Sequence, residues 1–230
     1  MDGTEVRKLT ELEDRHWWYQ ERRYLIGAAV RGMTPGRALD VGAAGGGNSR
    51  VLLQHGWRAA ALEYGSAGAE VCTERGVPVL RGDATRLPVS DASLDLVVAY
   101  DVLEHLDDDK SAVQQIFEAL RPGGTFLVAV PADPRLWSPH DVAVGHVRRY
   151  TRAELESLLT GAGFVLDEVR SWMVLLRPAV AVHRRTAGGS DLEHVPGWLN
   201  AMLRGVVALE RFLPVDRLPG VSLMVRARRP

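Results

Sequence analysis

Among its 230 residues the chain has a single cysteine, Cys72, and almost no net charge, with 28 basic side chains against 29 acidic ones and 7 histidines. One thiol excludes an internal disulfide framework and a cysteine-cluster metal site. It suits a reducing compartment, so a cytoplasmic protein is expected. A net charge of −1 excludes a global field that would draw the chain to phosphate backbones or anionic membranes, and nucleic acid is not an expected partner. Long hydrophobic runs are missing too. The most apolar stretch, Trp172 to Val182, is interrupted by Arg177 and Pro178 and falls short of the ~20 residues that span a bilayer. The opening MDGTEVRKLTELEDR is charged throughout and lacks the apolar region of a secretory signal. What remains is ordinary globular material: 46% hydrophobic and 25% charged residues, with a mean hydropathy of −0.08. That is enough for a core and leaves too little net charge for disorder.

The order of elements reads as α/β. Thr10 and Glu13 have capping-box spacing, and no Gly or Pro follows until after Ile26, which predicts one opening helix before the Pro35-Gly36 turn. Apolar strand-like runs then alternate with helical ones: Arg37–Val41 and Gly47–Gln54, Trp57–Glu63 and Ala67–Arg75, Val77–Arg81, Leu94–Ala99 and Ser111–Leu120, then Thr125–Pro131. Strands apolar on both sides and separated by helices imply a parallel sheet covered on both faces. The Ser111 helix carries Ala112, Val113, Ile116, Phe117 and Leu120 on one stripe and stops at Pro122-Gly123-Gly124. A second capping box, Thr151 with Glu154, opens a helix through Leu155, Leu158 and Leu159 that ends at Gly161 and Gly163. Strand-like Phe164–Val169 and Val221–Arg226 then flank a helical insertion with a helix at Trp198–Phe212 and a turn at Gly188-Gly189-Ser190, suited to a lid or a homodimer surface. The expected organisation is one domain over 1–230, with a helical lid at 1–36, a core at 37–171, the insertion at 172–216 and the last strand at 217–230.

The strand Ala38-Leu39-Asp40-Val41 runs into Gly42-Ala43-Ala44-Gly45-Gly46-Gly47 and then into helical residues. Such a turn lets backbone N–H groups approach a ligand at the carboxyl edge of a parallel sheet. A phosphate-binding P-loop needs Lys and then Ser or Thr after the last glycine, and Asn48-Ser49 stand there instead. A dinucleotide fingerprint misses by one residue, its nearest register being Gly42, Ala44 and Gly47. Asp40 separates the readings. A carboxylate aimed at this turn repels a pyrophosphate and attracts an ammonium or a sulfonium. At the end of the second strand, Glu63 is an acid that can accept both hydroxyls of a ribose. A cationic nucleoside without phosphates describes S-adenosylmethionine.

These residues resemble the class I S-adenosylmethionine-dependent methyltransferases, in their small-molecule branch. The family's first motif, acid-x-Gly-x-Gly-x-Gly, falls on Asp40, Gly42, Ala44 and Gly46, with Ala44 departing from it. Glu63 stands where family members bind the ribose. Gly82-Asp83-Ala84 matches the segment whose acid meets the adenine amino group, and Leu94–Ala99 resembles the fourth strand, with Ala99 and Tyr100 at its cofactor end. Asp101-Val102-Leu103-Glu104-His105-Leu106 resembles the segment beneath the methionine moiety, and Leu120-Arg121-Pro122-Gly123-Gly124 the turn after helix five. The resemblance implies a Rossmann-like three-layer sandwich, its seven-stranded sheet mostly parallel with an antiparallel last strand. It also implies S-adenosylmethionine as cofactor, a small-molecule acceptor and an N-terminal helix over the cleft.

Methyl transfer is an in-line displacement, so much of the protein's work is to hold nucleophile and methyl together and to exclude water. A protonated oxygen or nitrogen acceptor also needs a base, for which histidine is the usual choice. The segment after the fifth strand supplies His140-Asp141 and Gly145-His146-Val147-Arg148-Arg149-Tyr150. His146, and next to it His140, are the catalytic candidates, with Arg149 and Tyr150 as acceptor contacts; alternatively His140 is a loop partner of Asp141. Trp17 and Trp18 on the opening helix are further acceptor contacts; equally, Trp17 and Tyr19 are only the apolar face by which the helix docks. The run Asp107-Asp108-Asp109 fits a helix start, and no metal is expected. O-methylation with a histidine base is the expected activity. N- or C-methylation, a catalytically silent cofactor-binding regulator or scaffold and, more distantly, a nicotinamide-dependent oxidoreductase stand as alternatives.

Overall fold

A computed structural model describes residues 3–186 and 195–230, so the Gly188-Gly189-Ser190 turn lies outside the described residues. Seven strands, β1 (Arg37–Val41), β2 (Arg58–Glu63), β3 (Val79–Arg81), β4 (Leu94–Tyr100), β5 (Leu120–Pro131), β6 (Val165–Trp172) and β7 (Ser222–Arg228), form one sheet in the order β3-β2-β1-β4-β5-β7-β6. Strands β1 to β5 pair in parallel, and β7 runs antiparallel to both β5 and β6. The order reverses between β1 and β4, which opens a ligand crevice beyond their carboxyl ends.

Helices cover both faces: α1 (Gly3–Glu13), α2 (Trp17–Val30), α3 (Gly47–Gln54), α4 (Ser66–Glu74), α5 (Asp109–Ala119), α6 (Pro139–Ala143), α7 (Arg152–Gly161), α8 (Arg177–Thr186) and α9 (Gly197–Glu210). On one face Val113 and Ile116 of α5 and Leu155 and Leu159 of α7 pack on Leu39, Val97 and Phe126. On the other, Ile26 of α2, Leu52 of α3 and Val207 of α9 pack on Leu96, Val98 and Leu127. Central strands buried on both faces are why β1 and β4 read as unbroken apolar runs.

Several local expectations change. The single opening helix is two helices, broken at Asp14–His16, and Thr10 is no cap: it lies inside α1, where its hydroxyl donates to Val6 O at 2.7 Å. His16 is the N-cap instead, its Nδ1 accepting from the Trp18 N–H at 3.3 Å, and Asn200 of α9 ties the junction by accepting from the Trp17 N–H at 2.8 Å. Pro178 starts α8 rather than breaking it, since proline fits the first turn of a helix. Strand β5 begins at Leu120, so Pro122-Gly123-Gly124 sits within it, next to an irregular pairing between Leu94 and Leu96. Strand β3 is only three residues long. Asp108 does cap α5, accepting from the Ser111 N–H at 2.9 Å.

Candidate functional site

The glycine turn follows β1 directly. Gly42 and Gly46 have φ of +67° and +75°, and Ala44 is itself left-handed at +47°, a departure from glycine that the backbone absorbs. A Cβ on Gly42 would stand 2.6 Å from Val102 Cγ2, so the segment after β4 lies against the turn. Asp40 is buried beneath it, with Ser49 Oγ donating to Oδ2 at 2.7 Å and no partner for Oδ1 among the described residues. Burial, partly offset by the Ser49 hydroxyl, pushes its carboxyl up to about 7. Glu63 accepts from the Ala44 N–H at 2.7 Å, which links β2 to the turn, and burial raises its pKa as well. An unpartnered buried carboxylate oxygen beside glycine backbone fits a cationic ligand seated on this turn.

Helix α1 lies over the same turn. Side chains added at Gly45 and Gly47 would meet Thr10 Oγ1 and Glu13 Oε2, each at 2.5 Å. Arg75, from the end of α4, ion-pairs with Glu13 and donates to Gly45 O at 2.8 Å, which clamps α1, α4 and the turn together. Helix α2 serves differently, because Trp17, Leu25, Ile26 and Val30 all enter the core.

Beyond β4, Asp101 (φ +58°) ion-pairs with the buried Arg22 of α2. The Arg22 guanidinium lies over the rings of Trp18, Tyr100 and Trp172, at 4.5, 5.0 and 5.2 Å from their centroids. Trp18 and Tyr100 thus form the walls of a box around a cation, and burial lowers the Arg22 pKa to about 10.

Next to this box the chain brings together Glu104, His105 and His146. His146 Nδ1 is 2.8 Å from Asp141 Oδ1, and its Nε2 is 3.8 Å from Glu104 Oε1. Asp141, fully buried, also accepts from Arg149 Nε at 2.8 Å and from the Ser138 N–H at 2.9 Å, with Arg184 at 3.6 Å. Against the upward push of burial, His146, Arg184 and the Ser138 amide hold Asp141 below the usual carboxylate range. Glu104 is fully buried, neither of its oxygens has a hydrogen-bond partner among the described residues, and burial pushes it up to about 8.

The remaining sequence candidates divide. Asp83 caps its own turn, accepting from the Thr85 N–H and hydroxyl at 2.8 Å, with Ala84 beside it. Ala99 is buried in β4, between Val41 and Val128. Arg149 also donates from Nη1 to Ala132 O at 2.9 Å, and the buried Tyr150 hydroxyl donates to Asp109 Oδ2 at 2.7 Å. The His140 ring is 6.3 Å from that of His146. Asp141 was legible only as a neighbour of His140, and Ser49 and Arg22 carried no motif.

Residues 39–128 match a family described as a methyltransferase domain. A Mycolicibacterium smegmatis protein named "Probable S-adenosylmethionine-dependent methyltransferase" is 29% identical over 169 residues, 72% of this chain and 66% of that one. The match thus spans just under two thirds of that relative, and 61% of a similarly named one from Mycobacterium tuberculosis. A demethylmenaquinone methyltransferase of Renibacterium salmoninarum is 31% identical over 166 residues, 70% of this chain and 68% of that one. Among solved structures, the methyltransferase in complex with the Haloferax volcanii Trm112 activator has a TM-score of 0.68 at 20% identity, covering 99% of this chain and 95% of its own. The [4+2]-cyclase SpnF reaches 0.60, also at 20% identity, covering 93% of this chain and 82% of its own. At such identities the structures speak for the fold alone, and a fold shared with a cyclase does not name a reaction. Identity of 31% across two thirds of both sequences does decide the family: this chain belongs to the class I S-adenosylmethionine-dependent methyltransferases.

Proposed function

We propose that this chain transfers a methyl group from S-adenosylmethionine to a small-molecule acceptor at oxygen, with the acceptor's reacting atom against His146. The observation that carries the reading is the His146–Asp141 pair. A ring anchored at Nδ1 by a buried carboxylate presents Nε2 in one orientation, beside the segment that packs on Gly42. In this reading Nε2 takes the acceptor proton while the oxygen attacks the methyl carbon. The C–O bond forms, the C–S bond breaks, and sulfur leaves as a neutral thioether.

The cofactor contacts we assign are Asp40, Gly42, Ala44 and Gly46 around the methionine end, Glu63 on the ribose, Asp83 and Ala84 at the adenine, and Ala99 and Tyr100 beneath. Trp18 borders the acceptor, with Trp17 behind it in the core, and His140 stands at the rim. Arg149 and Tyr150 act by position: one fixes Asp141, the other fixes Asp109 at the start of α5. Residues 1–230 work as one methyltransferase domain in which α1 covers the glycine turn while α2 belongs to the core, acting on a small molecule in the cytoplasm. Among the described residues no helix is long and apolar enough to cross a membrane. The test is a cell extract incubated with the protein and S-adenosylmethionine labelled in its methyl group, read by mass spectrometry. A metabolite gaining one labelled methyl supports the reading; cofactor binding with no labelled product refutes transfer to a small molecule.

A further inference from the structure

The cluster beside β4 has a property that a lone histidine base does not require. His105 Nδ1 is 3.1 Å from Gly145 O, and His146 Nδ1 is 2.8 Å from Asp141 Oδ1. Each ring therefore donates from Nδ1 and leaves Nε2 as a lone-pair donor, the pattern that fixes the tautomer of metal-binding histidines. The rings meet edge to face, with centroids 4.8 Å apart. Between them and the interior stands Glu104, fully buried, with two oxygens that no described residue satisfies. An orphan carboxyl in that position is expensive unless something neutralises it. Arg22 lends positive potential, but it ion-pairs with Asp101 and gives Glu104 no hydrogen bond.

We propose that Glu104, His105 and His146 bind a divalent transition-metal cation, with zinc and manganese as the probes. One ligand atom from each residue lies within 4.8 Å of the other two. Ligands at about 2.0–2.2 Å from a common metal stand roughly 3–4 Å apart, so small side-chain rotations close the set. Two imidazoles and a carboxylate leave coordination positions open, as catalytic sites do. Glu104 seals the inner side, while His105 is exposed and opens the outer side to an acceptor.

The inference rests on the methyl-transfer reading above and changes its activation step. The acceptor O–H loses its proton to solvent on binding the cation, instead of to His146. The metal-bound oxygen then attacks the methyl carbon, and the C–S pair leaves with sulfur. Sequence alone points to no metal here because Glu104 and His105, adjacent in the chain, are separated from His146 by α5, β5 and α6, and only the fold brings the third ligand to the other two.

The experiment uses the full chain, stripped with a chelator, dialysed, and titrated calorimetrically with zinc chloride and, separately, manganese chloride. One saturable equivalent is expected, weakened at least 10-fold in His105→Ala and in the near-isosteric Glu104→Gln, and 10–100-fold in Asp141→Asn, which unties the His146 ring. X-ray absorption of the zinc-loaded chain should show imidazole nitrogens. Since His105 is exposed, its variant stands even where Glu104→Gln fails to fold. No saturable binding, or equal binding by wild type and His105→Ala, overturns the site. S-adenosylmethionine titrated into the same samples keeps the two readings apart: cofactor binding without metal binding defeats only the metal site, and metal binding without cofactor binding defeats only the methyl-transfer reading.

Discussion

Replacing Asp40 by Asn should move stability and cofactor affinity in opposite directions. The side chain is 1% exposed, has one hydroxyl donor in Ser49, and is pushed up to about 7 by burial. An unfolded aspartate ionises near ~3.9. Between about pH 4 and pH 7 the unfolded chain therefore releases a proton that the folded chain keeps, and stability falls as pH rises through that window. A separation of about three pH units at ~1.36 kcal/mol each bounds the effect near ~4 kcal/mol, and water entry and relaxation bring the expected value to ~1–3 kcal/mol. Asp40→Asn has no proton to lose. It should match wild type at pH 4 and exceed it in urea midpoint at pH 8. Its affinity should fall, because a cation ~5 Å from a carboxylate at an effective dielectric of ~20 gains ~3 kcal/mol. We expect S-adenosylmethionine to bind roughly 10–100-fold more weakly at pH 8, and wild-type affinity to rise with pH and level off above about 7. Urea unfolding and calorimetric titration at pH 4, 6 and 8 measure both quantities. Equal stability at pH 8 together with unchanged affinity would refute the reasoning, since neither burial nor field would then act at Asp40.

Glu63→Ala should lower cofactor affinity by ~1.5–3 kcal/mol, the range for hydrogen bonds to a charged group; calorimetry that finds the affinity unchanged puts the ribose elsewhere. Deleting residues 1–13 removes only the helix over the glycine turn and should leave a folded chain with weaker cofactor binding. Deleting residues 1–30 also removes Trp17, Leu25, Ile26 and Val30 from the core, at ~1.5–3 kcal/mol each against a total of about 5–15 kcal/mol, and should abolish the cooperative melt seen by circular dichroism. His146→Ala should slow turnover about 10²–10⁴-fold with cofactor affinity within roughly twofold, and near-full turnover would remove His146 from the reaction.

Legibility tracked the range of the interactions. The buried strands β1, β2, β4 and β5 show in the sequence because strands apolar on both faces are local signals, and the turn from Gly42 shows because positive φ selects glycine. The break between α1 and α2 does not show. It depends on a histidine cap and on Asn200, far along the chain, and no Gly or Pro marks it. Helix α8 was hidden because Pro178 looks like an interruption when read without its position in the first turn. The proposed cofactor side, Asp40 to Glu63, sits on consecutive β–α units and carries motif spacing. The proposed acceptor side does not: Asp141 owes its contacts to Arg149 and His146 folding back onto it from beyond α6, and Glu104 owes its isolation to the packing around it.

The most direct test of the central claim, that the Asp40 to Glu63 turn holds S-adenosylmethionine, is the thermal midpoint of the full chain titrated with that cofactor, with its demethylated product, and with NAD. At a hundredfold excess over the dissociation constant, binding should add ~2.7 kcal/mol, a rise of roughly 5–10 °C for a chain of this size, with the first two ligands and not with NAD. A flat midpoint with S-adenosylmethionine, or a larger rise with NAD, would contradict the account.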